Sequence, residues 1–416
     1  MRRPDKVFRA SGFTALVAVS SIAFVACSSS SASRTTSSPT LPSGVVGPAH
    51  LITGCPNGAR QVTPADDVAS QVASQAAGTQ FCFTAGTYQR LSVVPQAGDG
   101  FFGMPGAVID GMGSTTPAFK ATAADVTIMG LTIRGYSLAA QTAAIDGRSP
   151  KEAPSGGTGW HVAGNLVTQI TGGRGITAAD GWVVSQNIIT NNGELGLSGN
   201  GQNVRVENNE IAANNQGHYD KHWEGGGVKF VAATNLMMRG NYVHDNLGVA
   251  LWCDIGCDNV TFDNNTVVGN LGAGVFFEIS HTATITNNKI MNNGEKSEGW
   301  LWDGGIQVAA SDNVTISGNT VQNDANGISL IQQRRGSGQF GQHLVANITV
   351  SGNMVSGSGR TGLVVDDGDS GVFSRGIHFS NNTYHLAEGF AWSGSWVDWS
   401  GWNAAGQDQA GSWSAT

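Results

Sequence analysis

Charge is scarce in this chain. Asp, Glu, Lys and Arg make up 12% of its 416 residues, against about 25% in ordinary globular proteins. No run of Lys or Arg stands out, so the electrostatic footprint of a nucleic-acid binder is missing and no nucleic-acid partner is expected. Helical periodicity is missing too, apart from a short candidate helix at 64–76. One apolar run stands out, Phe13 to Ala26, and it is too short to span a bilayer. There are 5 cysteines and no CxxC spacing, which argues against a cysteine-built zinc site.

The apolar run follows Arg2, Arg3, Lys6 and Arg9, and this order is that of an export leader. Phe24-Val25-Ala26-Cys27 resembles a bacterial lipoprotein cleavage box, with Cys27 as the lipidated residue. The expectation is a signal peptide at 1–26 and a Ser/Thr-rich tether at 27–47. The protein would then be exported and lipid-anchored to the outer face of the cell membrane. Without residues 1–26, 18 basic and 29 acidic residues remain, a net charge of −11. Cys55, Cys82, Cys253 and Cys257 would remain as well, an even number that fits two disulfides in an exported protein. Of the three pairings, Cys55 with Cys82 would pin the first turn and Cys253 with Cys257 would clip a loop.

What the chain has in excess is Gly, with 59 residues, and a recurring unit of a polar residue, Asn, any residue and an aliphatic. The unit centres on Asn165, Asn187, Asn209, Asn241, Asn265, Asn288, Asn319, Asn353 and Asn382, at spacings of 22, 22, 32, 24, 23, 31, 34 and 29. The short spacings are a bare turn, and the long ones are the same turn with a loop inserted. Alternating runs such as VTI, VRV and VTF lie between and read as strands. A fixed period of this length means stacked repeats. The Asn residues themselves are expected at corners, where they tolerate left-handed backbone and can bond along the stack.

This NNxI-type repeat resembles the right-handed parallel β-helix of the pectate-lyase-like superfamily. The resemblance covers about Asp125 to Tyr384 and implies an all-β, single-stranded solenoid with loops inserted on one face. It also implies capping turns at 48–124, β-helix repeats at 125–384 and a Trp-rich C-terminal cap at 385–416. It says little about activity, because such folds carry hydrolases, lyases, esterases, epimerases and adhesins.

Aligning the Gly that opens one strand of each turn places a site. The segments GVKFV from Gly227, GVALWCD from Gly248, GVFFE from Gly274 and GIQVA from Gly305 alternate inward aliphatics with outward residues. Lys229, Trp252, Asp254, Glu278 and Gln307 then share one outer face. In this frame Asp254 and Glu278 lie one rung and two residues apart, so their carboxyls fall roughly 5 to 9 Å apart, within the range of glycosidase pairs. Trp252 would shield Glu278 and raise its pKa.

Three long loops add Glu224, Trp223 and His222 from Gly217–Gly227, Trp302 from Gly294–Gly305, and Arg334, Arg335 and His343 beyond Gln332. They are expected to wall one groove. Asp254, Glu278, Lys229 and Glu224 are the catalytic candidates. Trp252, Trp223, His222, His281, Gln307 and Trp302 are the substrate-binding candidates. The spacing of His218, His222 and His281 matches no zinc motif. The leading expectation is a monomeric glycoside hydrolase needing no cofactor and acting on a poly- or oligosaccharide. The first alternative is a polysaccharide lyase, with Lys229 as base and with Asp254 and Glu278 holding Ca²⁺ or neutralising the uronate carboxylate. The second is a glycan-binding surface protein.

Overall fold

The computed structural model describes residues 46–415 apart from 48, 121–122, 148–156 and 296–299. The leader at 1–26, Cys27 and nearly all of the tether lie outside the described residues. Among the described residues the chain winds through three long sheets of 13, 13 and 12 strands, visiting them in rotation. The first sheet runs from Arg60–Val62 to Ile377–Ser380, the second from Gly86–Gln89 to Ser412–Ser414, and the third from Phe119–Lys120 to Ser395–Val397. Apart from the closing antiparallel pair of Phe390–Trp392 with Ser395–Val397, the strands of these sheets pair in parallel with their equivalents on neighbouring turns, for example Val162 with Ile128 and Val184.

The coil starts earlier than the repeat. Arg60–Val62, Gln80–Phe83 and Gly100–Gly103 already pair in parallel, well ahead of Asp125. Their aromatic core is unlike the later Val/Ile core, with Phe81 and Phe101 stacked at 5.5 Å. That difference hides the first turns from a search for Asn units. The candidate helix at 64–76 is Val68–Ser74, N-capped by the Asp67 side chain. Both disulfides form as Cys55–Cys82 and Cys253–Cys257.

The repeated Asn residues form a buried ladder. Asn165 donates its backbone N–H and its amide Nδ2 to Asn187 Oδ1, at 3.0 and 2.9 Å. The same double bond repeats rung by rung to Asn382, which donates to Asp408 Oδ1. Asp408 also takes Tyr384 Oη at 2.7 Å and Trp402 Nε1 at 3.2 Å. The Trp-rich C-terminal segment thus terminates the ladder, with Trp402 stacked on Phe390.

The left-handed corner residue is not the ladder Asn but the residue before it. Gly164, Gln186, Asn208, Gly240, Asn264, Asn287, Gly318, Gly352 and Asn381 all have φ between 52° and 67°. This explains why the polar position of the unit alternates among Gly, Gln and Asn. A second ladder, absent from the sequence reading, runs Asn192, Asn214, Asn246, Asn270, Asn293 and then Asp324.

Candidate active site

The strands Gly226–Val231, Val249–Asp254, Val275–Glu278 and Gly304–Ala309 lie side by side in the third sheet. Their register differs from the Gly frame. Lys229 pairs with Trp252, Trp252 with Phe276, and Phe276 with Gln307. Val231 pairs with Asp254, and Glu278 pairs with Ala309. Continuing the Cys253–Phe277 pair by one residue puts Asp254 directly beside Glu278. The corners agree, since the following residues Ala232, Ile255, Ile279 and Ala310 all take φ between 46° and 52°. The two carboxylates therefore start from backbone about 4.8 Å apart, the strand spacing, and not from about 8 Å as the Gly frame implied.

Each carboxylate has its own cation. Lys229 Nζ lies 2.9 Å from Asp254 Oδ2 and 3.5 Å from the centre of the Trp252 ring. It also donates to the backbone carbonyl of Trp223. Arg335 reaches across from its loop to put Nη1 2.7 Å from Glu278 Oε1. Burial pushes the Glu278 carboxyl up to about 7, and the Asp254 charge adds to this; Arg335 and Lys229 pull the other way but do not cancel it.

A cleft of about 220 Å³ opens on the same face, beside Lys229 and toward the earlier rungs. Arg174, Thr177, Ser198, Glu224 and Trp223 line it. Arg174 is held between two carboxylates: Nε donates to Glu194 Oε1 at 2.7 Å, and Nη2 lies 3.4 Å from Glu224 Oε2. Burial raises the Glu194 carboxyl, partly offset by Arg174. Gln141 Nε2 donates to Glu224 Oε2 at 2.7 Å.

Of the candidate residues, Lys229, Glu224 and Trp223 line this cleft. Asp254 and Glu278 are not among its lining residues; Asp254 is ion-paired to Lys229, which is, and Glu278 stands one rung further on. Others are placed differently from the expectation. Trp252 and Gln307 are 1% exposed, because the Leu301–Trp302 segment packs over this face with Phe276. They shape the site and do not line it. Trp302 is half-buried in that cover. His281 is buried beneath Phe340 and His343, with Nδ1 2.8 Å from Asp312 Oδ1. His222 is exposed in its loop, outside the cleft lining.

The three loops do not share one edge. Two enter at the starts of third-sheet strands, and Lys221 ties them by reaching Glu295 Oε2 at 2.6 Å. The third leaves from the end of Asn326–Gln332 and brings Arg335 from the opposite side. Two walls result in place of one. Arg174, Glu194 and Gln141 were not among the candidates, although Arg174 directly precedes Gly175 of an earlier strand with the same Gly-aliphatic opening. Among the described residues no group of three or more His, Cys, Asp or Glu is arranged to hold a metal. Asp254 and Glu278, the pair named for Ca²⁺ in the lyase expectation, are each ion-paired, to Lys229 and to Arg335.

A family profile described as "Right handed beta helix region" matches residues 155–304. A search of curated proteins gives no match. Among solved structures, the A-module of mannuronan C-5 epimerase AlgE6 from Azotobacter vinelandii is similar, with TM-score 0.57, 15% identity and coverage of 84% of this chain and 93% of that one. The catalytic unit of a thermostable GH87 α-1,3-glucanase from Streptomyces thermodiastaticus gives 0.56, 16% identity, and 89% and 70% coverage. A mannuronic acid specific polysaccharide family 6 lyase from human gut microbiota gives 0.50, 12% identity, and 86% and 90% coverage. The chain is a right-handed parallel β-helix. The coil's three sheets and its single strand per sheet and turn are those of this fold.

Proposed function

We propose that this β-helix is an extracytoplasmic glycoside hydrolase, with Glu278 as general acid and Asp254 as nucleophile. The observation that carries the reading is the pair itself. Two carboxylates stand side by side, Asp254 ion-paired to Lys229 and Glu278 to Arg335, and burial together with the Asp254 charge raises Glu278. A carboxyl raised in this way keeps its proton close to neutral pH, as a general acid requires. Glu278 would protonate the leaving glycosidic oxygen while Asp254 attacks the anomeric carbon and forms a glycosyl ester. Glu278, now a carboxylate, would take a proton from water as that water attacks the ester and frees Asp254. The start of the two carboxylates from neighbouring strands supports a close pair, for which retention of configuration is the matching outcome. The two disulfides support an oxidising compartment, and anchoring through Cys27 belongs to the same proposal.

A lyase is the second reading. It is favoured by Arg174, Lys229 and Arg335, three cations on one face that suit an acidic sugar. Two of the similar structures are named for mannuronan or mannuronic acid. The lyase reading needs Lys229 as a base with a free lone pair. In the structure Nζ is a donor to Asp254 and to the Trp223 carbonyl and lies on the Trp252 ring, which supports hydrolysis instead. Turnover of a glycan panel decides. A hydrolase gives reducing ends without ultraviolet absorbance, and a lyase gives an absorbing unsaturated end.

A further inference from the structure

The outward column of the third sheet that holds Asp254 and Glu278 turns apolar after Glu278. The neighbouring outward column is polar on the earlier rungs, where Thr177, Ser198 and Lys229 follow one another in register, and then holds Trp252 and Phe276 beside the pair. On the rungs after Glu278 its own column continues as Ala309, Ile331 and Val364. These three are buried although they point out of the coil, at 0, 0 and 7% exposure. They form a small apolar core of their own with Trp252 and Phe276, beneath Leu301 and Trp302. Trp302 packs its edge on Phe276, and its carbonyl is held by Asn326 Nδ2 at 2.8 Å. Lys221 fastens the same segment by reaching Asp303 Oδ2 at 3.2 Å.

A long glycan crossing the catalytic pair along the coil axis would have to run over this cover. An apolar core of this kind excludes a hydrated chain, because opening it would expose buried apolar side chains to water. From the far edge the approach to Glu278 is filled by Arg335. The cleft over Arg174, Ser198 and Lys229 is open on the N-terminal side.

We infer that the site is blind on its C-terminal side and takes its glycan by one chain end. This rests on the glycan-cleaving reading above. The enzyme releases a mono- or disaccharide from a terminus and does not cut within the chain. The cover formed by Leu301 and Trp302 sets this specificity.

The test is size-exclusion chromatography of partial digests by the full chain, on a panel of envelope and plant glycans that includes alginate and α-1,3-glucan. End-wise release predicts a small-sugar peak from the first time point, while the remaining polymer keeps its elution position until most is consumed. Polymer that shifts early through intermediate sizes overturns the inference and leaves the catalytic reading intact. No turnover of any glycan removes the catalytic reading and this inference with it. A Leu301→Gly/Trp302→Gly variant, confirmed folded by its melting transition, is expected to yield intermediate sizes that the parent does not. The parent's digest decides if the variant fails to fold, and a folded variant with the parent's pattern shows that the cover does not set the specificity.

Discussion

Asp254 and Glu278 occupy the same position on adjacent strands of the third sheet, each at the end of its strand and each followed by an isoleucine in left-handed backbone. The pair is thus built by the repeat itself. Two turns of the coil with the same backbone differ in what they place at one outward position, and Lys229 and Arg335 reach the pair from opposite sides.

The pH dependence of turnover should carry the signature of Glu278. A general acid must hold its proton, so kcat should fall as pH rises through about 7. Arg335 pulls the Glu278 carboxyl down. Arg335→Ala should therefore move the alkaline limb of the profile upward, and an unmoved limb would mean that another group titrates.

Arg174→Ala should weaken substrate binding and also cost stability. The Glu194 side chain is buried, and Arg174 is its cationic partner. Breaking a buried pair from one side costs about 3–5 kcal/mol. A raised KM together with a lowered melting temperature is the expected result. Arg174→Lys should recover part of the stability but not the two-carboxylate bridge.

Asp324 is the one acidic member within the second ladder's buried run, and its Oδ2 has no hydrogen-bond partner. Burial pushes its carboxyl up to about 7 from 3.8. Between those values the unfolded chain gives up a proton that the folded chain keeps, so stability falls as pH rises from about 4 to about 7. At roughly 1.4 kcal/mol per pH unit the loss reaches at most about 4 kcal/mol. Asp324→Asn should abolish this slope. Denaturant titrations at pH 5 and pH 8 should then show the variant gaining over the parent mainly at pH 8.

The two disulfides should contribute unequally. In the chain-entropy account the 27-residue separation of Cys55 and Cys82 is worth about 3.6 kcal/mol, and the 4-residue separation of Cys253 and Cys257 about 2 kcal/mol. Double Ala variants compared by denaturant midpoint check the order. The local clip should matter more for turnover than its stability share implies, because it closes the corner just after Asp254.

Much of the fold was legible because an Asn ladder repeats at one position per turn, from Asn165 to Asn382. The first turns were not legible, since they use stacked Phe residues and no Asn unit. The site was legible in face but not in register. Gly225, Gly226 and Gly227 offer three places to align Gly248, and the register chooses Gly225, as Gly226 pairs with Val249. The resulting slip was two residues, which keeps each side chain on its face. Asp254 and Glu278 were therefore rightly read as outward yet placed too far apart. The burial of Trp252 and Gln307 could not be read from period alone, because the Leu301–Trp302 cover comes from a loop insertion with no periodic pattern.

The most direct measurement is the turnover of Glu278→Gln and Asp254→Asn against the parent, on whichever panel glycan the parent cleaves, normalised to folded protein. Glu278→Gln keeps the shape of the protonated acid but has no proton to give. Asp254→Asn keeps the shape of the nucleophile but has no anion. A fall of several orders of magnitude in kcat for both, with the folded state retained, is the predicted result. Near-parental kcat in either folded variant would contradict the assignment of this pair as the catalytic centre.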